Sequence, residues 1–227
     1  MTTIIDLSQP ISWEKTVPHP AFPKPMLLPF IQHGDPRYKF SSQSEILILC
    51  NHASTHIDAL RHFDPTPGAP DIGQMDLEIF TGEAICVDIR SIPGNHYMSV
   101  GEFEKLIKSS PVKLSPGDIV LFCSDHYEKT KSRPENYVHN FAGMAPDLIR
   151  WMKQKGVKLF GMETISCDCP DVTDEYPSHI ACREAKLPHV ENMCNLSKVV
   201  NQRFQFHAFP LMLEGGSASP VRAVAVL

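Results

Sequence analysis

Little in this chain of 227 residues points to a membrane, a nucleic acid or a nucleotide. No stretch approaches the roughly 18–20 consecutive apolar residues of a membrane-spanning helix. Its 21 lysines and arginines are outnumbered by 26 aspartates and glutamates, giving a formal charge of −5, and they form no cluster. The electrostatic footprint of a nucleic-acid binder is therefore missing, and a small-molecule substrate is the better default. There is no G-x-S-x-G elbow for a serine nucleophile. Walker A and G-x-G-x-x-G loops are also absent, so nucleotide use has no support. The seven cysteines are an odd number at scattered spacings with no C-x-x-C pair. That pattern suits free thiols in a reducing compartment better than a disulfide framework. The C-x-C pair Cys167 and Cys169 reads as buried thiols rather than metal ligands. Met1 to Asp6 offers neither a basic region nor a long apolar run, so we expect no signal peptide and a cytoplasmic location.

What is present fits a globular protein, 42% apolar and 21% charged. The length suits one domain over 1–227 with a sizeable core. Apolar runs predict strands at 45–50, 83–89, 118–123, 158–162, 204–213 and 221–227, with a short one at 3–7. Most are near-continuous, the mark of strands buried on both faces. Ser99 and Glu102 form a capping box that opens a helix through Phe103, Leu106 and Ile107. Further helices are expected at 146–155, closed by Gly156, and at 178–186. Strands and helices alternating without strict regularity indicate a mixed α/β domain. Residues 10–36 carry seven prolines, which rule out regular helix and central strand. Phe22, Phe30, Leu27 and Leu28 argue against plain disorder there. The segment reads as an ordered arm over the site or a partner subunit, or as a passive surface loop.

Chemistry concentrates between Asn51 and His62. His52, His56, Asp58 and His62 are donors that suit zinc, manganese or iron(II). In a helix, at about 100° per residue, His52 and His56 share a face while Asp58 and His62 fall roughly opposite. In a strand all four share a face, but His52 and His56 stand about 13 Å apart at 3.3 Å per residue. Metal–ligand bonds of about 2 Å do not span that distance. A shared site therefore requires a curled segment just after the strand at 45–50.

These residues resemble the H-x-G-T-H-x-D-A-P-x-H signature of the cyclase family of metal-dependent hydrolases, which includes bacterial kynurenine formamidase and isatin hydrolase. Ser178-His179 through Pro188-His189-Val190-Glu191-Asn192 resembles the formamidases' second motif, a histidine followed twelve residues later by a glutamate. Ala208-Phe209-Pro210-Leu211 and Ser219-Pro220-Val221-Arg222-Ala223 resemble the family's closing strand pair, and Ile5 to Pro10 its opening. The resemblance covers most of the chain, with three separated motifs in order. It implies a swivelling β/β/α-type α/β domain, usually dimeric. It also implies one metal on His52, His56 and Asp58, with Asp58 bridging to a second on His179 and Glu191. His62 would be the general acid/base.

The implied activity is metal-dependent hydrolysis of a small amide, lactam or lactone, with Zn(2+) or Mn(2+), one or two ions. Glu191 favours the formamidase branch, whose substrate is N-formylkynurenine. An isatin hydrolase-like lactam or lactone hydrolase and a non-catalytic metal-binding protein are the alternatives. Two signature positions differ, Ser54 for glycine and Leu60 for proline, and Ser54 is expected to narrow or re-aim the pocket. The tryptophan-proline-glycine of many formamidases is here Val17-Pro18-His19-Pro20, which leaves the substrate open. Asp125, His126 and His139 read as surface residues rather than pocket lining, and Glu184 as solvated.

Overall fold

The computed structural model describes residues 2–227. Thirteen strands and five helices are present among them. The strands are β1 (Ile4–Asp6), β2 (Met26–Ile31), β3 (Ser44–Ile48), β4 (His56–Asp58), β5 (Thr81–Asp88), β6 (Tyr97–Met98) and β7 (Ile119–Cys123). There follow β8 (Gly143–Met144), β9 (Leu159–Met162), β10 (His189–Glu191), β11 (Arg203–His207), β12 (Ala218–Pro220) and β13 (Val224–Val226). The helices are α1 (Leu60–Phe63), α2 (Val100–Ser109), α3 (His126–Thr130), α4 (Pro146–Gln154) and α5 (Pro177–Ala185). Nine strands form one mixed sheet in the order β1-β13-β11-β5-β7-β9-β10-β4-β12. Its centre, β5-β7-β9-β10, is parallel, and the flanking pairs are antiparallel.

Period-two alternation splits the core across this sheet. In β5 and β7, Ala84, Cys86, Ile119 and Leu121 pack into one cluster with Leu7, Phe80, Phe204 and Phe206. The residues between them, Ile85, Val87, Val120 and Phe122, pack into the other, against Phe103 of α2, Leu148 and Met152 of α4 and Cys182 of α5. The central strands are therefore buried on both faces, as their apolar runs imply. The capping box is formed: the Ser99 hydroxyl accepts from the Glu102 amide, and the Glu102 carboxylate accepts from the Ser99 amide at 2.8 Å. The helices at 146–155 and 178–186 appear within a residue of expectation. All seven cysteines are free.

Three expectations need correction. The strand at 45–50 is not a buried sheet strand. It is β3, and it pairs only with β2 in a two-stranded ribbon outside the main sheet. Leu27, Leu28, Phe30, Ile46, Leu47 and Ile48 are all exposed there, between 44% and 64%. An apolar run therefore does not by itself place a strand in the core. The run at 204–213 ends as a strand at His207, before Pro210, which has no N–H to donate. The run from 221 yields only Val224–Val226, and Val221 meets Pro210 in an isolated bridge outside it.

Candidate active site

The ligand-rich segment is curled as its spacing demands. The chain leaves β3, turns through residues 50–54 and enters β4 at His56. The turn is reversed at Ser54, whose φ of +57° is the left-handed conformation that glycine adopts most easily. A side chain there costs roughly 1–2 kcal/mol. The Ser54 hydroxyl offsets part of it by donating to the Gln9 carbonyl at 2.9 Å. Ser54 thus points behind the cluster and does not line the cavity, so it neither narrows nor re-aims the pocket. Leu60 is the first residue of α1, where proline's fixed φ is favourable and not required.

Strand pairing builds the floor. The triplets His56-Ile57-Asp58 of β4 and His189-Val190-Glu191 of β10 are antiparallel, with His189 opposite Asp58 and Glu191 opposite His56. Alternation sends Ile57 and Val190 into the core and turns all four polar side chains to one face. The Asp58 Oδ1 lies 2.9 Å from His52 Nδ1 and 3.3 Å from His56 Nε2. The Asp58 Oδ2 lies 3.4 Å from His189 Nε2, 3.6 Å from His62 Nε2 and 3.8 Å from His179 Nε2. Glu191 divides likewise, with Oε1 3.1 Å from His189 Nε2 and 3.8 Å from His179 Nε2, and Oε2 3.6 Å from His56 Nε2.

Tautomers decide what this arrangement can hold. The Nδ1 of His56 lies 2.8 Å from the Ser54 carbonyl, which can only accept, so the proton sits on Nδ1. The His179 Nδ1 likewise donates to Asp168 Oδ2 at 2.6 Å. With Nδ1 so held, His56 and His179 turn Nε2 towards the two carboxylates. Both Asp58 oxygens and His56 Nε2 are buried without a hydrogen-bond partner. Negative charge and lone pairs converging away from water are stable only around a cation. Burial alone would push the Asp58 carboxyl up, yet the surrounding histidines, His62 foremost, hold it well below the usual carboxylate range. Burial likewise works to lower His56, and the Asp58 and Glu191 carboxylates raise it instead. A divalent ion meets the same demand. Residues His52, His56 and Asp58 form one group able to hold it, and Cys167, His179, His189 and Glu191 form another.

The cluster floors a cavity of about 330 Å³, walled by Phe22, Phe63, Ile165 and Tyr176 with His19 and His62 at the rim. Phe22 stacks on His52 at 5.5 Å between ring centroids. The proline-rich arm is therefore ordered over the site. The His62 imidazole is held down to about 4, first by burial and then by neighbouring His52 and His179, against the pull of Asp58. It is therefore uncharged near pH 7.

Two residues of this site carry no sequence signal that marks them. Asp168 stands between Cys167 and Cys169, in a loop that packs against the bare Gly143 backbone, where a Cβ would lie 2.7 Å from Cys169 Sγ. Besides holding His179 Nδ1, Asp168 accepts the Ser178 and His179 amides at 2.7 and 3.1 Å, capping α5 where Tyr176 does not. Burial opposes ionisation of Asp168, but the His179 contact keeps its pKa lowered. His189 lies inside the second motif, and only the strand pairing reveals that it faces Asp58. The remaining polar candidates sit elsewhere. Asp125 pairs with Arg90, His139 with Asp171 and Glu184 with Arg150, whereas His126, expected at the surface, is buried and donates from Nε2 to the Tyr137 carbonyl.

Known proteins resemble this chain in sequence and in fold. A family model described as "Putative cyclase" matches residues 5–169. The kynurenine formamidase of Sphingopyxis alaskensis is 27% identical over 99% of this chain and 98% of its own. That of Delftia acidovorans is 31% identical over 78% of this chain and 77% of its own. The crystal structure of an isatin hydrolase bound to the product analogue thioisatinate superimposes with a TM-score of 0.88 at 17% identity, covering 100% of this chain and 92% of that one. The whole-chain match shows that the mixed α/β domain has the fold of these hydrolases.

Proposed function

Because the chain belongs to the cyclase family, we propose that it is a metal-dependent hydrolase of a small amide, lactam or lactone, with an aryl formamide of the N-formylkynurenine type as its substrate. The observation that carries this reading is the buried, unpartnered Asp58 carboxylate ringed by histidines. His52, His56 and Asp58 would hold one divalent ion, and Asp58 would bridge to a second on His179 and Glu191. Zinc or manganese suits this donor set. Such an ion lowers the pKa of coordinated water towards about 7 and polarises a carbonyl.

The chain's own residues supply the rest. Phe22, Phe63 and Tyr176 offer faces against which a flat aromatic substrate packs, leaving its carbonyl towards the floor. The His62 Nε2 lies 3.6 Å from Asp58 Oδ2 at the rim, with its side chain 29% exposed. From there it accepts a proton as water attacks and returns it to the leaving nitrogen. Asp168 fixes the His179 tautomer so that Nε2 stays a lone-pair donor. The exposed apolar ribbon of β2 and β3 supports a homodimer or higher homo-oligomer. No helix among the described residues is long and apolar enough to cross a membrane. The free cysteines support a reducing, cytoplasmic setting.

The test is His62→Ala, assayed for formanilide, lactone, isatin and carbamate hydrolysis with metal content measured alongside. Metal should be retained while turnover falls by about 10²–10⁴, and a chelator should abolish activity of the unaltered protein. Full activity in His62→Ala removes the acid/base assignment. Preference for isatin over formanilide selects the lactam reading, and no chelator-sensitive turnover on any substrate leaves a metal-binding protein.

A further inference from the structure

Rotated onto one another, the two floor triplets have the same composition, histidine-apolar-acid, and each histidine faces the other triplet's acid across the pairing. His56 thereby belongs to one group of donors, and the residue in the equivalent place for the other group is His189. Its side chain is fully buried, with the ring between Phe63 at 5.9 Å and Phe160 at 5.1 Å, both close to parallel. The Nδ1 has no hydrogen-bond partner, so all its polar contact is made through Nε2. That atom lies 3.1 Å from Glu191 Oε1 and 3.4 Å from Asp58 Oδ2. The His179 Nε2 stands 3.8 Å from each of the same two oxygens. Four donor atoms about 2.1 Å from one ion in a tetrahedron are separated by about 3.4 Å. Four of the six edges, those joining each imidazole to each carboxylate, bracket that value.

We infer that His189 is a fourth protein ligand of the second metal position, which His179, His189, Asp58 and Glu191 together close. The inference rests on the metal-hydrolase reading and divides the labour within it. A position with four protein ligands has the character of a structural zinc site, whereas His52, His56 and Asp58 leave theirs open, as catalytic sites do. Cys167 is the competing candidate, because its Sγ lies 3.5 Å from His179 and 3.8 Å from His189. Its contact with His179 is to Nδ1, however, the nitrogen already held by Asp168. It therefore stands on the Nδ1 side of the His179 ring, although its Sγ is close to His189 Nε2 and its amide to Glu191 Oε1, and the cadmium shift separates it from His189 as a ligand.

The experiment loads the whole protein with cadmium-113 and labels histidine with nitrogen-15. One cadmium signal should couple to two imidazole nitrogens, the Nε2 atoms of His179 and His189. In His189→Phe, sized for the slot between Phe63 and Phe160, one coupling should vanish. That ion should also yield to a competing chelator about tenfold or more readily, while the ion on His52 and His56 is kept. Absence of a His189 coupling in the unaltered protein overturns the inference, and so does a cadmium shift in the thiolate range, which would install Cys167 instead. Because the coupling is read on the unaltered protein, instability of His189→Phe does not blunt the test. Two ions bound without His189 would leave the hydrolase reading standing, whereas no metal uptake at all would remove both.

Discussion

On the floor of the site His56, Asp58, His189 and Glu191 are each at most 5% exposed, and their two short strands are hydrogen-bonded on both sides, to β12 and β9 as well as to each other. Above them, His19 and Phe22 belong to a proline-rich segment held by turns, such as the Phe22 amide to the His19 carbonyl at 2.8 Å. The floor places donor atoms through sheet register, which cannot slip by one residue without turning every ligand into the core. The arm places aromatic faces through loop packing, which accommodates change. Chemistry and specificity are thus built by different kinds of structure, and substitutions in the two should fail differently.

The sharpest break of that contrast is expected behind the floor. Asp168→Asn keeps the shape of the side chain but removes the charge that holds His179 Nδ1–H at 2.6 Å. Losing such an outer partner costs about 10- to 100-fold in metal affinity or activity. A chelator competition titration measures it, and unchanged affinity would show that His179 is fixed by packing alone. The metal-free protein gives a second readout. Burial notwithstanding, the folded-state pKa of Asp168 lies below its ordinary value, chiefly through His179. Its stabilisation is therefore present above the ordinary aspartate pKa of about 3.9 and lost as pH falls through the lower folded value. Asp168→Asn should flatten that acid limb in a melting-temperature profile.

At the arm, Phe22→Ala removes the ring stacked on His52. Aromatic contacts of this kind are worth about 0.5–1.5 kcal/mol, so KM should rise roughly 2- to 12-fold for an aromatic substrate. Metal content and kcat should stay unchanged. Metal loss in this variant would mean that the arm helps hold the floor, and the contrast would collapse.

How much of this was legible beforehand follows the same division. The helix at 146–154 announces itself by apolar spacing and a closing glycine, and the central strands by their runs. The need for a curl between His52 and Asp58 follows from arithmetic on strand and helix geometry. Asp168 is invisible because its role depends on a loop brought up to α5 by Gly143, a contact no local pattern encodes. His189 is in plain sight, yet its direction depends on which residue of β4 it pairs with, and register between strands 131 residues apart is not a local property. The run at Ser44–Ile48 misleads for the opposite reason: its apolar residues are real, but they pack into no core of this chain.

That run supplies the smallest expected effect on turnover. Leu47 is 50% exposed on β3 and faces Leu27 across the ribbon. Contiguous exposed apolar surface of this kind marks an association site. Leu47→Glu introduces a charge that such a contact would have to bury unpaired, at a cost large enough to break it. If the ribbon carries the proposed self-association, light scattering should show an oligomer for the unaltered protein and single chains for Leu47→Glu. Turnover per site should stay within about twofold, because neither ribbon strand lines the cavity. If activity instead falls in step with dissociation, the arm beside the ribbon owes its order over His52 to a second chain, and specificity in this protein is a property of the assembly.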